Sequence, residues 1–302
     1  MENTQLQNRI RALLKEKRAV MLAHNYQRPE IQDVADFVGD SYELSVKASK
    51  TDADIIVFCG VRFMAETAKI LSPSKTVLLP NINAGCPMAD MITAQELSQL
   101  KKSYPDAWVV SYVNTNADVK AMTDVCCTSS NAIDIVKAVP SDRVIFVPDK
   151  NLGNYVKKFV KKEMIIWKGY CPTHHHVYPE EIKALKTKYP YAVFVCHPEC
   201  RPEVVEIADK VASTSGILRF VREDNHGRFI IGTEEGIIHR LKKENPAKEF
   251  IIASHGFVCP NMKRTRLGDV LSALEKNQYE ITLPEEIIEK ARLSLERMIS
   301  VL

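Results

Sequence analysis

The sequence predicts an α/β protein in which three similar αβα sandwich domains with parallel sheets surround a pseudo-threefold axis, with one active site at the centre. Two observations lead to this prediction. Short β-type runs alternate with helical stretches along the chain, an order that gives parallel strands joined by right-handed crossovers. In addition, a set of features recurs three times, at steps of 85 to 88 residues. A fixed period of this kind indicates a repeated structural unit.

The clearest repeated feature is a cysteine followed by proline, found at Cys86, Cys171 and Cys259. These three cysteines are 85 and 88 residues apart, and each follows a β-type run. Because the spacing is the same as that of the other repeated features, we take each Cys-Pro pair as the end of one unit.

The elements of a unit follow in the same order each time. A predicted helix that ends in basic residues comes first, at 6–18, 94–105 and 179–190. A β-run with a polar end follows, at 20–26, 108–114 and 192–199. A hydroxyl-rich helix start comes next, and it contains Ser41, Ser129 and Thr214. A second β-run then recurs at 57–60, 145–148 and 230–232. Counted from its first β-run, each unit is therefore predicted as strand, helix, helix, strand, helix, strand and then Cys-Pro.

These positions divide the chain into predicted units at 1–87, 88–173 and 174–262. The tail after Asn261 contains two more predicted helices, one of them from Pro284 to Met298. We expect residues 263–302 to pack on the first unit.

The composition excludes several classes of protein. The chain has 302 residues, with 41 basic and 38 acidic side chains and a net charge of +3, too small and too dispersed to indicate a nucleic-acid partner. The longest apolar stretches, such as 54–60, are far shorter than the roughly 20 residues of a membrane-spanning helix. The N-terminal pattern is that of a charged amphipathic helix rather than a secretory signal. We therefore expect a cytoplasmic protein with neither nucleic acid nor membrane as a partner.

Polar residues gather where ligands bind in open parallel sheets, beyond the carboxyl ends of the strands. If three such edges meet at the axis, one central pocket holds these strand ends together with the three helix starts and the three Cys-Pro pairs. The strand-end residues are His24, Tyr26, Tyr112, Asn114, His197 and Glu199.

The three repeated cysteines can meet only through the fold, because they are too far apart in sequence for a local zinc knuckle. Thiolates bind iron–sulfur clusters or zinc, and a cubane cluster normally takes four cysteines, so that three leave one iron open to a substrate. The alternative is three buried cysteines at strand ends without a metal. The other cysteines are predicted not to be ligands: Cys59, Cys126, Cys127, Cys196 and Cys200. In the His174–His176 triplet, His174 is the residue expected to line the pocket.

Two further chemical functions are available in such a pocket. Helix N-termini with free N–H groups and hydroxyl side chains bind carboxylates or phosphate. For any single helix start, ordinary capping is the better explanation, and it is the repetition in all three units that favours binding. The candidates for general acid–base catalysis are Tyr26, Tyr112, His197 and Glu199. The sequence has neither a glycine-rich phosphate fingerprint nor a nucleophile elbow.

At these same residues the sequence resembles the A-type quinolinate synthase family of de novo NAD biosynthesis. The resemblance runs from about Val20 to Lys263. The motifs that carry it are Ala23-His-Asn-Tyr26, Val38-Gly-Asp-Ser41, Phe63-Met-Ala-Glu66, Cys86-Pro-Met, Tyr112-Val-Asn114, Cys127-Thr-Ser-Ser-Asn131, Pro148-Asp-Lys-Asn-Leu-Gly153, His197-Pro-Glu-Cys200, Gly232-Thr-Glu and Val258-Cys-Pro-Asn-Met262.

The resemblance implies a [4Fe-4S] cluster held by Cys86, Cys171 and Cys259. It implies condensation of iminosuccinate with dihydroxyacetone phosphate to quinolinate, with release of phosphate and two waters, and functional coupling to an enzyme that produces iminosuccinate. It gives Tyr26 an acid–base role. It also implies that substrate is bound by His24, Ser41, Tyr112, Asn114, Ser129, His197, Glu199 and Thr214.

One feature departs from some longer relatives, which have Cys-x-x-Cys-x-x-Cys around the last ligand, whereas this chain has Cys259-Pro-Asn-Met262. Cys259 is therefore the only candidate ligand in that segment. Two alternatives stay open: another metal-dependent lyase or hydrolase, for example with zinc on the same three cysteines, and a non-catalytic iron–sulfur or anion-binding scaffold.

Overall fold

The computed structural model of the chain describes residues 3–300. The predicted first unit begins at residue 1 and the predicted tail ends at residue 302. Residues 1, 2, 301 and 302 of these predictions lie outside the described residues.

The elements follow one another in three series and a tail. The first series consists of α1 (Asn3–Glu16), β1 (Ala19–His24), α2 (Pro29–Gln32), β2 (Phe37–Gly39), α3 (Ser41–Lys50), β3 (Ile55–Cys59), α4 (Arg62–Leu71) and β4 (Thr76–Leu78). After a 3₁₀ turn at Ala89–Met91, the second series consists of α5 (Ala94–Ser103), β5 (Trp108–Tyr112), α6 (Ala117–Lys120), β6 (Val125–Cys127), α7 (Ala132–Ala138), β7 (Arg143–Val147), α8 (Lys150–Lys157) and β8 (Glu163–Ile166).

The short helix α9 (Pro172–His175) leads into the third series. It consists of α10 (Pro179–Lys188), β9 (Val193–Cys196), α11 (Pro202–Val205), β10 (Lys210–Val211), α12 (Thr214–Glu223), β11 (Arg228–Gly232), α13 (Ile237–Glu244) and β12 (Glu249–Ile252). The tail contains α14 (Leu267–Lys276) and α15 (Glu285–Ser300).

Each series forms one four-stranded parallel sheet flanked by helices. The strand orders are β2-β1-β3-β4, β6-β5-β7-β8 and β10-β9-β11-β12, the same topology three times. The predicted α/β class with three similar αβα units is therefore confirmed. The boundaries after residues 87 and 173 stay a prediction.

Each unit has one strand more than the sequence predicted. The additional strand lies at the sheet edge, and it is three residues long in β2 and β6 and two residues long in β10. Such short segments cannot show the alternation by which a strand is recognised in a sequence. Each edge strand is also followed closely by the hydroxyl-rich helix start, and polar residues of that kind are typical of loops.

An aspartate just before each edge strand anchors that strand to its neighbour in the same way. Asp36, Asp124 and Asp209 each accept a hydrogen bond from a backbone N–H of the adjacent strand at 2.8 Å. The donors are Met21, Val109 and Phe194. This contact fixes the equivalence of the three units residue by residue, because it occurs at the same register in every sheet.

The C-terminal helices pack differently from the prediction. Helix α14 packs on α1 and β3 of the first unit, as expected. Helix α15, however, lies against α4 of the first unit and against α6 and β6 of the second. The prediction named only the first unit, whereas α15 contacts the second unit as well. The partners of an amphipathic helix are decided by tertiary packing that its own sequence does not specify.

The largest apolar core crosses all three units. It contains Leu22 of β1, Val110 of β5, Phe229 of β11 and Leu295 of α15, all fully buried. The units are therefore held against one another by shared apolar contacts, and their strand ends are brought to a common centre. Among residues 3–300, no helix has both the length and the hydropathy needed to cross a membrane.

Candidate active site

The carboxyl ends of the three sheets surround a cavity of about 140 Å³. All twelve residues that the sequence singled out line it, and so does His174. The twelve are His24, Tyr26, Ser41, Cys86, Tyr112, Asn114, Ser129, Cys171, His197, Glu199, Thr214 and Cys259. The structure thus brings these side chains together, while their individual roles stay a prediction.

Three equivalent pairs of side chains enter the cavity at the carboxyl ends of the central strands β1, β5 and β9. Within each pair the second residue follows two positions after the first, a spacing that returns a side chain to the same face of an extended segment. In the first and third units the N–H of the second residue donates to Nδ1 of the histidine, at 3.2 Å from Tyr26 to His24 and 3.3 Å from Glu199 to His197. A neutral imidazole held in this way carries its proton on Nε2 and can donate it to a ligand. The pairs are His24 with Tyr26, Tyr112 with Asn114, and His197 with Glu199.

Glu199 is one of the buried carboxylates that line the cavity. Burial opposes its ionisation, but the contact with His174 and a hydrogen bond with Tyr112 outweigh that effect and keep the pKa of the Glu199 carboxyl below its usual range. Its Oε2 lies 2.9 Å from Nδ1 of His174 and 3.5 Å from Nδ1 of His197. Its Oε1 has no hydrogen-bond partner although it is buried. Because burial lowers the pKa of His197 to about 4, that ring is neutral near pH 7.

A chain of hydrogen bonds joins the Tyr26 hydroxyl to Glu199. The hydroxyl lies 2.6 Å from Oγ1 of Thr233 and 2.9 Å from Oγ1 of Thr214. Thr233 Oγ1 in turn lies 2.9 Å from Nε2 of His174, whose Nδ1 contacts Glu199. Burial and the nearby Glu199 charge raise the pKa of Tyr26 well above its usual value, so this phenol keeps its proton at neutral pH. The same two causes act on the pKa of Tyr112.

Sequence reasoning missed Thr233, which lies in the Gly232-Thr-Glu motif but received no role there. A signal was present, because Thr233 immediately follows the second β-run of its unit. Asp40 was missed in the same way, one residue before the predicted Ser41.

The starts of three helices converge on Asp40. Its Oδ1 caps α3 by accepting the backbone N–H groups of Tyr42 and Glu43, both at 3.0 Å. Its Oδ2 lies 3.2 Å from the Ser130 hydroxyl and 3.3 Å from the backbone N of Ser215. This carboxylate therefore ties together the N-terminal ends of α3, α7 and α12, which carry the hydroxyls of Ser41, Ser129 and Thr214 into the cavity.

The three Cys-Pro segments have a common local geometry. Each cysteine is partly buried and begins a helical turn, and the proline that follows it has no N–H to contribute. Burial raises the pKa of each thiol, to about 12 for Cys86, and a backbone N–H three residues further on acts in the opposite direction by favouring the thiolate. For Cys171, burial raises the pKa most, and the Glu199 charge and the neighbouring Cys259 and Cys86 act in the same direction.

Donor atoms of a metal site are available here. A sulfur of Cys171, a ring nitrogen of His174 and an oxygen of Glu199 lie within 4.8 Å of one another. The other five cysteines are buried and do not line the cavity. A thiol is deprotonated when it binds a metal, and the three cavity cysteines fit a metal group in that each has a backbone N–H that favours the thiolate.

Two buried oxygens point to a bound ligand. Asn114 Oδ1 and Glu199 Oε1 have no partner among the described residues, although both are buried and both residues line the cavity. Leaving a buried polar atom unpaired costs about 1–3 kcal/mol. A ligand that donates hydrogen bonds to both atoms would recover that free energy.

Comparison with known proteins agrees with this geometry. The family model described as "Quinolinate synthetase A protein" matches residues 8–300. The chain is 57% identical to a quinolinate synthase of Thermodesulfovibrio yellowstonii, with 97% of each chain covered. It is 54% identical to one of Pelobacter propionicus, over 99% of both chains, and 52% identical to one of Geotalea uraniireducens, over 100% of this chain and 99% of the relative. The chain therefore belongs to the quinolinate synthetase A family.

Proposed function

We propose that this chain condenses iminosuccinate with dihydroxyacetone phosphate to form quinolinate, phosphate and two waters. The two substrates supply the seven carbons and the nitrogen of the product, and no oxidant is needed for the atoms to balance. The observation that carries the proposal is the meeting of three thiols, a buried carboxylate with a free oxygen and three hydroxyl-bearing helix starts in one cavity. The full-length family match supports the same reaction.

The three cysteines suit a [4Fe-4S] cluster. Cys86, Cys171 and Cys259 would hold it, one from each unit, and one iron would be left without a protein thiolate. When bound, such a cluster supplies a Lewis acid that polarises an oxygen of the reactant. The common turn at each Cys-Pro segment, with a backbone N–H three residues further on that favours the thiolate, supports this ligand set.

The polar groups around the cavity suit the anionic parts of both substrates. The helix starts offer the hydroxyls of Ser41, Ser129 and Thr214 for carboxylate or phosphate oxygens. His24 offers an Nε2 proton, because its Nδ1 is already occupied by the Tyr26 N–H. The free oxygen of Asn114 suits an N–H or O–H donor of the substrate. Together they fix the orientation in which the two substrates meet.

Glu199 and Tyr26 form an acid–base pair. Glu199 Oε1 is an ionised, unpartnered oxygen and takes a proton from the reacting carbon or nitrogen. Tyr26 holds its proton at neutral pH and donates it to a departing oxygen. The Thr233 and His174 bridge between them offers a path by which the proton returns. Tyr112 and His197 border Glu199 and orient its carboxylate and the substrate.

Burial of the site supports two further parts of the proposal. An imine hydrolyses in water, so a reaction on iminosuccinate benefits from a cavity lined by buried side chains. Direct supply by an enzyme that produces iminosuccinate would serve the same end.

We also place the reaction in the cytoplasm, where reducing conditions keep the eight free cysteines as thiols.

The proposal is tested by anaerobic reconstitution of the protein with iron and sulfide, followed by measurement of quinolinate formed from the two substrates. Cys171→Ser is expected to lose both the cluster absorbance and the activity. Cys126→Ser is the matched control, because its sulfur lies outside the cavity and contacts Ser294 Oγ at 3.4 Å. It should keep both.

Other results would favour the alternatives. Zinc instead of iron in the anaerobically purified protein would indicate a different metal-dependent lyase or hydrolase. A cluster without any quinolinate formation would indicate a non-catalytic scaffold. A colourless but fully active Cys171→Ser protein would refute the cluster.

A further inference from the structure

Two buried carboxylates contact the backbone of two of the three cavity cysteines. Asp149 Oδ2 accepts the backbone N–H of Cys171 at 3.1 Å. Glu234 Oε1 accepts the backbone N–H of Cys259, also at 3.1 Å. Both carboxylate residues are 0% exposed. Neither was given a role by the sequence.

The two carboxylates occupy equivalent positions in their units. Asp149 comes two residues after the end of β7, and Glu234 comes two residues after the end of β11. They are 85 residues apart in the sequence, the same step that separates Ser129 from Thr214. The same contact has therefore been built twice with side chains of different length.

The second oxygen of each carboxylate is fixed as well. Asp149 Oδ1 accepts the backbone N–H of Leu152 at 2.8 Å and so caps α8. Glu234 Oε2 accepts the backbone N–H of Gly236 at 2.7 Å, just before α13, and Lys263 Nζ lies 2.8 Å from Glu234 Oε1. Each carboxylate thus joins the start of a helix to the backbone of a cysteine, and neither is free to rotate away.

Among residues 3–87, the first unit shows no such contact. The equivalent position, 88 residues before Asp149, is Val61, which lies at the start of α4 and has no side-chain oxygen. Among the described residues, the backbone N–H of Cys86 therefore has no carboxylate partner. The backbones of Cys171 and Cys259 are each fixed by a side-chain contact that the backbone of Cys86 lacks.

We infer that Asp149 and Glu234 are positioning residues, which hold the backbones of Cys171 and Cys259 so that their sulfurs are fixed on the metal group. The inference rests on the proposed function, since it assumes a cluster on these thiols. Groups that orient the ligands of a metal typically change its affinity by 10-fold to 100-fold when they are removed. The contact is made to the main chain because a cysteine side chain has no polar group besides its sulfur. Fixing the backbone N–H of the cysteine fixes the direction in which its side chain leaves the main chain.

Two substitutions separate this role from helix capping. Asp149→Ser keeps one capping oxygen for the Leu152 N–H, but it has no second oxygen for Cys171. Glu234→Gln keeps the side-chain length and places an NH₂ donor against at least one of the N–H groups that Glu234 now accepts. Thr93→Ala is the matched control, since Thr93 caps α5 at the protein surface by accepting the Glu96 N–H at 3.2 Å.

The experiment measures iron release from the reconstituted, cluster-loaded protein to a ferrous chelator under anaerobic conditions. We expect release to be at least about tenfold faster in Asp149→Ser and in Glu234→Gln, with an altered electron paramagnetic resonance line shape of the reduced cluster. Thr93→Ala should match the parent in both. The thermal melting of each protein is recorded so that general unfolding is recognised.

Parental release rates and line shapes in both variants would overturn the inference. If Asp149→Ser does not fold, Asp149→Asn and Glu234→Gln carry the test, because both preserve side-chain size. A parent that takes up no iron–sulfur cluster would instead refute the proposed function, and it would be recognised before any variant is compared.

Discussion

At the scale of single residues, Glu199 owes its charge to its neighbours. Burial raises the pKa of this carboxyl, yet the contact with His174 and a hydrogen bond with Tyr112 lower it below the usual range. The neutral state of His197, with a pKa of about 4, leaves its Nε2 proton for Ser129 Oγ at 3.0 Å. Geometry is the first requirement for a general base, and Glu199 meets it with a buried carboxylate that has one oxygen unpartnered among the described residues.

Replacing Glu199 with glutamine tests that role. Glu199→Gln removes the charge and the basic oxygen but keeps the size of the side chain, so the cluster should still assemble. Quinolinate formation should fall by about 10²–10⁴-fold, the usual contribution of a general base. Glu235→Gln, which removes a charge from an exposed residue nearby, should keep parental turnover. Iron content and initial rate are measured for both, and parental turnover of Glu199→Gln would exclude it from the proton path.

At the scale of elements, the start of α13 packs closely against the backbone of Tyr26, two residues after the end of β1. A Cβ at Gly236, the residue before α13, would lie 2.7–2.8 Å from backbone atoms of Tyr26. Gln32 of α2 also donates to the Gly236 carbonyl oxygen at 2.9 Å, and Lys263 Nζ lies 2.7 Å from the Tyr26 carbonyl oxygen. The third unit therefore helps to set the position of a first-unit tyrosine, and only glycine permits this close approach.

A methyl group at that point should displace Tyr26. Gly236→Ala is expected to cost about 1–3 kcal/mol in the free energy of unfolding, the usual penalty of overpacking, and to lower turnover as the tyrosine moves. Gly268→Ala in α14 is the control, because a Cβ there meets no atom within 4 Å. It should be neutral or stabilising by up to about 1 kcal/mol. The free energy of unfolding is measured by urea denaturation, and turnover is measured as the initial rate. A Gly236→Ala protein with the stability and turnover of the parent would show that the contact with Tyr26 is not tight.

The elements also show what the sequence can and cannot predict. The period of the Cys-Pro pairs and helix starts was enough to place Ser41, Ser129 and Thr214 around one cavity, because a repeat with parallel strands puts equivalent residues at equivalent strand ends. The edge strands were missed, since β10 has only two residues. Asp149 and Glu234 were missed because their partners are backbone N–H groups about 22 and 25 residues away, and no local pattern marks such a contact.

At the scale of the whole molecule, α15 joins two units. Its Leu295 is fully buried in the shared core. The Ser294 hydroxyl lies 3.2 Å from the carbonyl oxygen of Lys120 in α6, and Asn131 Nδ2 lies 3.4 Å from the carbonyl oxygen of Met298. The helix therefore contributes to holding the second unit against the first. Its contacts in the second unit are with α6, with β6 and with Asn131, the residue before α7.

Shortening a buried side chain of α15 should weaken that junction. Leu295→Ala is expected to cost about 2–5 kcal/mol in the free energy of unfolding, as for other buried leucines. Leu293→Ala, two residues away on the same helix and 57% exposed, should change stability by less than about 0.5 kcal/mol. Thermal and urea denaturation compare the two, and equal midpoints would mean that α15 does not support the core.

The central cavity should also make the stability of the whole molecule depend on pH. Burial lowers the pKa of His24 and of His197 to about 4 each, whereas histidines of the unfolded chain titrate near 6.5. Between these two values the unfolded chain binds more protons than the folded one, so stability must fall as the pH falls from about 6.5 toward 4. The lowered pKa of Glu199 adds a loss only at more acidic pH, below its ordinary range.

Each of the two imidazoles contributes at most about 1.4 kcal/mol per pH unit within that window. The urea midpoint of the cluster-loaded protein should therefore drop between about pH 7 and pH 5. The double variant His24→Asn/His197→Asn should be less stable near neutral pH but should show a shallower dependence, because asparagine does not titrate. His255→Asn, at an exposed histidine, should retain the parental slope. If the double variant kept the full slope, the protons would be bound elsewhere, and the three units would not be linked through the titration of their common centre.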